Sequence, residues 1–229
     1  MYEYAKKLSA MIQVPTISLR GNTDLSNFYK LHEVMKNNFP LIFSKLECTE
    51  IDGNLIFRWP GKDPKRNGIL LMGHQDVVTA DEPNWEREPF SGEIAGGNIH
   101  GRGSMDCKST VFSEFQAIEE LLAEGYEPPC DIYLATAVDE EISGGGAIDA
   151  AKYLKEKGIR LNAVLDEGGA VIGNVFPGLS KPCAAVGIVE KGFCNIKFTA
   201  RGKGGHASQP PKHTALGVLA KAIRASTGS

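Results

Sequence analysis

Three short apolar runs in this chain each stop at a residue able to ligate a metal. Gly68-Ile-Leu-Leu-Met-Gly73 leads into His74-Gln-Asp76. Ile132-Tyr-Leu-Ala-Thr-Ala-Val138 leads into Asp139-Glu-Glu141, and Ala163-Val-Leu165 into Asp166-Glu-Gly-Gly169. Continuous apolar runs alternating with helical stretches read as parallel strands buried on both faces. In an open α/β sheet the carboxyl ends of such strands face one crevice, where ligands bind. Histidine, aspartate and glutamate gathered at those ends predict a divalent-metal site. A fourth segment, Gly101-Arg-Gly-Ser-Met-Asp106, places another acid just before an amphipathic helix.

The rest of the chain fits the same architecture. Residues 2–12 and 23–38 read as helices, the second with Leu25, Phe28, Leu31 and Met35 on one face and Asn22 or Thr23 as its cap. Residues 54–59 and 68–72 read as strands. From Ser109 the apolar positions keep helical spacing until Gly125, a C-terminal stop. A strand over 132–138, a helix to about Lys157 closed by Gly158, and a strand over 163–166 complete the alternation. The expected class is α/β, a mostly parallel sheet flanked by helices. Residues 77–100 form a connection long enough to predict a functional loop.

After about residue 184 the pattern changes. Residues 185–190 and 193–200 read as a strand pair and 212–225 as an amphipathic helix, the opening of an α+β domain. The expected division is therefore a catalytic metal-binding domain over 1–184 and an incomplete second domain over 185–229.

Composition removes several function classes. A net charge of -3 gives no basic footprint for nucleic acid. No apolar run approaches the length of a membrane span. The N-terminus has no apolar signal core, so cytoplasm is the expected location. Five cysteines, an odd count with no CxxC pair, argue against a disulfide framework and a thiolate zinc site. Cys107, beside Asp106, is the one cysteine with a claim to reactivity.

Hydrolysis at a metal needs hard or borderline ligands, an open position for water and an unligated acid to take its proton. His74, Asp106 and Asp166 make one candidate ligand set, with Glu167 as the alternative to Asp166. Asp106 and Glu141 begin a second, and two metals can share one carboxylate. Glu140 is the candidate proton acceptor. Neighbours on an extended strand face opposite ways, so Glu140 and Glu141 share a site only where the strand has ended. Ile142-Ser-Gly-Gly fits that ending. Gly144–Gly146 reads as a tight turn, Lys108 as a support for its loop, and His32 and His100 as structural or exposed residues.

Together, Gly73-His-Gln-Asp-Val-Val78, Gly101 to Lys108, Asp139-Glu-Glu141, Leu165-Asp-Glu-Gly-Gly169 and Gly204-Gly-His-Ala-Ser208 resemble the M20 family of metallopeptidases and deacylases, and so does their spacing. The resemblance implies a zinc-peptidase-like catalytic domain and the start of a lid domain. It implies two Zn2+ ions in a complete site, with Co2+ or Mn2+ as substitutes. His74 and Asp166 would bind one ion, Glu141 the other, and Asp106 would bridge. Glu140 would be the general base and Asp76 would orient His74. His206 would polarise the scissile carbonyl from the lid, and a cis peptide would follow Asp106. Substrates would be small peptides or N-acyl amino acids, with a homodimer formed through the lid.

The sequence departs from the family at one point. The family's second metal takes a further histidine near the C-terminus, whereas the only histidine after His206 here is His213. The chain thus reads as a truncated M20-type hydrolase. The competing reading is a non-catalytic fragment or binding module with a partial metal site.

Overall fold

Asp52 and Gly53 both adopt left-handed backbone angles, φ 48° and 83°, and fold β1 (Glu47–Ile51) onto β2 (Asn54–Trp59) as an antiparallel hairpin. This computed structural model describes residues 2–226 except 81, 174–176, 179, 190, 191, 193, 207 and 210. The hairpin forms one side of a five-stranded sheet. Its other members are β3 (Gly68–His74), β6 (Ile132–Ala137) and β7 (Leu161–Leu165), in the order β1-β2-β6-β3-β7. β3 runs parallel to both β6 and β7, with His74 beside Ala137 and Leu71 beside Leu165. The three metal-type strand ends therefore lie along one edge of the sheet, as the sequence predicts.

Helices cover both faces of the middle of the sheet, while β7 stays largely exposed, against the expectation that its apolar run is buried. α1 (Tyr2–Ile12), α2 (Ser26–Asn38), α3 (Pro40–Lys45) and α4 (Lys108–Ala123) enclose a core that includes Met11, Leu31, Met35, Phe39, Phe57, Phe115 and Leu134. Phe115 lies 5.4 Å from Phe39 and 5.6 Å from Phe57, ring centre to ring centre. Burial of each such side chain contributes about 1.5–3 kcal/mol. α5 (Gly146–Glu156) packs Ala150 and Leu154 on Ile56, Leu70 and Tyr133 of the opposite face. Long-range packing thus fixes α4 and the strand ends that face it.

The long 77–100 connection carries a small hairpin, β4 (Ile94–Ala95) and β5 (Asn98–Ile99). The chain divides into two compact units, Met1–Gly168 and Gly169–Ser229, so the change of sequence pattern near residue 184 falls inside the second unit. That unit holds an antiparallel pair, β8 (Ala170–Ile172) with β9 (Cys183–Ala185), and α6 (Ala215–Ser226). Among the described residues no helix is long and apolar enough to cross a membrane.

Some expectations are corrected. α2 starts at Ser26 with no side-chain cap. Asn22 and Asp24 instead spend their side-chain oxygens on the turn before it, accepting from the backbone N–H groups of Asp24 and Ser26. Among the described residues of 185–190 and 193–200, only Ala185 belongs to a strand, so the expected strand pair is not seen in them. Residues 190, 191 and 193 lie outside the described set. Val186, Ile188 and Ile196 stay exposed, and an apolar alternation with no layer to bury against gains nothing from pairing.

Candidate metal centre

His74 closes β3, and its side chain is 2% exposed. Its Nδ1 lies 2.9 Å from the Asp76 carbonyl and 3.2 Å from Asp76 Oδ1. That side of the ring is therefore committed to Asp76, and Nε2 is turned toward three carboxylates. Asp106 Oδ1 stands 3.0 Å away, Glu167 Oε1 3.3 Å and Glu140 Oε2 3.8 Å. Burial works against the imidazolium, but Asp76 and Glu167 overcome it and raise the His74 pKa. Glu167, hydrogen-bonded to His74, is held below the usual carboxylate range.

Asp76 is fully buried and holds several chain segments together. Besides His74, it accepts from Ser18 Oγ at 2.5 Å and from the backbone N–H groups of Glu140 and Glu141 at 3.2 and 3.1 Å. Burial alone would raise its pKa; the bonds from His74 and Ser18 prevail and lower it. Glu140 and Glu141 lie on a short 3-10 turn that follows the end of β6. The strand has ended before the acidic pair, as their sharing of a site requires. Both pKa values are raised, first by burial. For Glu140 the neighbouring charges of Glu167, Asp76 and Asp106 add to this against His74, and for Glu141 Asp106 is the main one.

Asp106 reaches the site from the turn before α4, and the Asp106–Cys107 peptide is cis. Cys107 Sγ accepts from the His74 backbone N–H at 3.0 Å, and the thiol donates to the His74 carbonyl at 3.4 Å. Burial pushes this thiol up to about 11, so its place beside Asp106 does not make it reactive: a buried thiol stays protonated and inert at neutral pH. Lys108 is fully buried and donates from Nζ to the carbonyls of Met11 and Val14, at 3.0 and 2.7 Å, the supporting role expected of it. Desolvation lowers its pKa to about 7.

A layer of amides and hydroxyls fixes the strand end from below. Gln75 Oε1 accepts from His32 Nε2 at 2.8 Å, and Gln75 Nε2 donates to the Thr136 hydroxyl at 2.9 Å. Thr16 donates to the Gln75 carbonyl at 2.6 Å. His32 is thus structural, as expected. Asp139 accepts from Gly145 and Gly146 N–H groups at 2.7 and 2.9 Å, so the Gly144–Gly146 segment is the tight turn that starts α5. A Cβ on Gly146 would lie 2.5 Å from Asn54 Oδ1.

Of the sequence candidates, His74, Asp106 and Glu140 come together, and Asp76 stands behind His74. Glu141 is tied in through its backbone. The Asp166 carboxylate accepts from the Glu167 N–H at 2.8 Å, and Glu167 is the acid that reaches His74. His206 belongs to the second unit, its Nδ1 2.9 Å from Ser208 Oγ. Ligand atoms of His74, Asp106, Cys107 and Glu167 all lie within 4.8 Å of one another. Sequence reasoning missed the contact of Cys107 with the His74 backbone and Ser18 as a partner of Asp76. No local pattern marks either, because both act through contacts made by folding.

One imidazole and several carboxylates suit a borderline divalent ion. Residues 70–229 match the model of Peptidase family M20/M25/M40. The chain belongs to this family. Membership in M20 implies a divalent metal, and the donor set fits one. The chain is 40% identical over 230 residues to "Probable carboxypeptidase S-like 2" of Dictyostelium discoideum, covering 96% of this chain and 44% of that protein. It is 37% identical to human "N-fatty-acyl-amino acid synthase/hydrolase PM20D1", covering 94% and 44%. The chain thus spans less than half the length of these curated relatives. Among solved structures, the M20 family metallo-carboxypeptidase Sso-CP2 of Sulfolobus solfataricus matches with a TM-score of 0.61 and 25% identity, over 75% of this chain and 38% of that one. Human carnosine dipeptidase 1 shares the fold, with a TM-score of 0.61 and 17% identity, over 72% and 38%.

Proposed function

We propose that this chain carries the metal site of a zinc-dependent hydrolase that cleaves amide bonds in small peptides or N-acyl amino acids. The observation that carries the reading is the convergence of Asp106, Glu140 and Glu167 on His74 Nε2. His74 and Asp106 hold the ion, with Glu167 or its neighbour Asp166 completing the set and Glu141 serving a second ion. The imidazole nitrogen beside the carboxylates favours zinc over magnesium or calcium, which take oxygen ligands. The ion supplies Lewis acidity.

Glu140 takes the proton from the attacking water and returns it to the leaving amine. Its pKa is raised by burial and by the acids around it, which moves a carboxylate toward the range a general base needs. Asp76 fixes the His74 ring through Nδ1 and, through two backbone bonds, the turn bearing Glu140. The names of the relatives support carboxypeptidase-like and N-acyl-amino-acid substrates. His206 takes the carbonyl-polarising role and the second unit the dimer contact, both by family likeness.

The test is hydrolysis of dipeptides and N-acyl amino acids by the zinc-loaded chain, beside the Glu140→Gln variant. The variant is expected to keep its metal and lose turnover by about 10²-fold or more. Equal turnover in the two proteins would reject the assignment.

A further inference from the structure

A second charged site lies at the other end of the sheet from His74. The first residue of β3, Gly68, and the residues just before β6 and β7, Asp131 and Arg160, line a cleft of about 580 Å³. β3 has seven residues, which places the cleft roughly 20 Å from the metal-type cluster at about 3.3 Å per residue. Five cationic side chains line it: Arg58, Lys65, Arg66, Lys157 and Arg160. The acids are Glu47 and Asp131, so the cleft is strongly positive in a chain of net charge -3.

Arg58 is preorganised. Its Nε donates to Asp131 Oδ2 at 2.8 Å and its Nη1 to Glu47 at 2.9 Å, leaving Nη2 outside both ion pairs. Among the described residues, the side chains of Lys65, Arg66 and Arg160 have no hydrogen-bond or ion-pair partner. They come from two different loops that close on the same floor. Gly68 lets β3 begin close against the start of β6: a Cβ there would lie 2.9 Å from the Asp131 carbonyl and 2.9 Å from the Tyr133 ring.

We propose that this cleft binds a small phosphate-bearing anion, at a site separate from the hydrolytic one. Its volume falls in the range of small-molecule sites. Guanidinium groups match phosphate oxygens two at a time. Several uncompensated cations favour a multiply charged phosphate over a single carboxylate, because each added charge adds attraction. The inference does not rest on the chemistry proposed at His74.

The test is calorimetric titration of the metal-free 229-residue chain with inorganic pyrophosphate at low ionic strength, beside an Arg66→Ala/Arg160→Ala variant. Both arginines are exposed, so the variant is expected to keep its fold, checked by circular dichroism. Saturable binding of one pyrophosphate per chain is expected, about tenfold or more weaker in the variant and weaker again as salt rises. Absence of saturable binding, or equal affinity in the two proteins, would overturn the proposal.

Discussion

Ser18 Oγ donates to Asp76 Oδ2 across 2.5 Å, joining two buried side chains 58 residues apart in sequence. Asp76 also holds His74 and the backbone of Glu140 and Glu141, so the serine acts on the metal-type cluster without touching it. Supporting residues of this kind commonly change metal affinity by about 10–100-fold. Ser18→Ala is expected to weaken zinc binding by about tenfold, and Ser18→Thr to restore most of it. Competition with a chromophoric chelator measures both, and unchanged affinity in Ser18→Ala would remove the serine from this role.

Glu114 sits on α4, 8% exposed, and neither carboxylate oxygen has a hydrogen-bond partner among the described residues. Burial, with the charge of Asp166 added, raises its pKa to about 8. The folded chain therefore holds a proton that the unfolded chain releases near the ordinary glutamate value of about 4.3. Stability from this group is complete below that value and is lost as pH rises through about 8, at up to about 1.4 kcal/mol per pH unit. Glu114→Leu should flatten the slope and raise the urea midpoint at about pH 8.5. A wild-type slope that survives in the variant would assign the pH dependence elsewhere.

Metal binding should stabilise the fold, since the donors come from β3, the turn before α4 and the segment after β7. Zinc at about 100 times its dissociation constant adds about 2.7 kcal/mol. Thermal unfolding with and without EDTA reads the difference. Asp106→Asn should lose most of the gain, while a gain of wild-type size in that variant would place the ion elsewhere.

Asp139 tests the scaffold apart from the chemistry. Its carboxylate satisfies the Gly145 and Gly146 N–H groups at the start of α5. Asp139→Ala should cost about 1–2 kcal/mol, in the range of a lost helix cap, without changing zinc stoichiometry. Denaturant midpoints and elemental analysis separate the two readouts, and a variant that loses its zinc would show that Asp139 belongs to the metal site.

The sequence signals that worked were those in which one period or one stop sufficed. Buried runs ended in His74 and before Glu140, and α4 kept its apolar spacing. β1 escaped notice although Asp52–Gly53 is a strong hairpin signal, because Glu47-Cys-Thr-Glu-Ile51 carries little apolar character. α3 is a six-residue helix whose first residue is Pro40, too short for a period to register. The Asp166–Glu167 pair could not be ordered by pattern, since adjacent acids differ only in the direction that β7 gives them on leaving the sheet. Ser18, Gln75 and Cys107 meet the site through contacts between distant segments, which no local spacing encodes.

Asp76 ties together residues 18, 74, 140 and 141, and this sets an order of events. Its bonds are complete only after the N-terminal strap, β3 and the turn after β6 have all arrived, and joining such distant segments is slow because long loops must close first. A chain still emerging, or one opened locally at any of the three, has scattered donors and weak metal affinity. Zinc uptake during refolding should therefore trail the burial of the aromatic core and report when the first unit is whole.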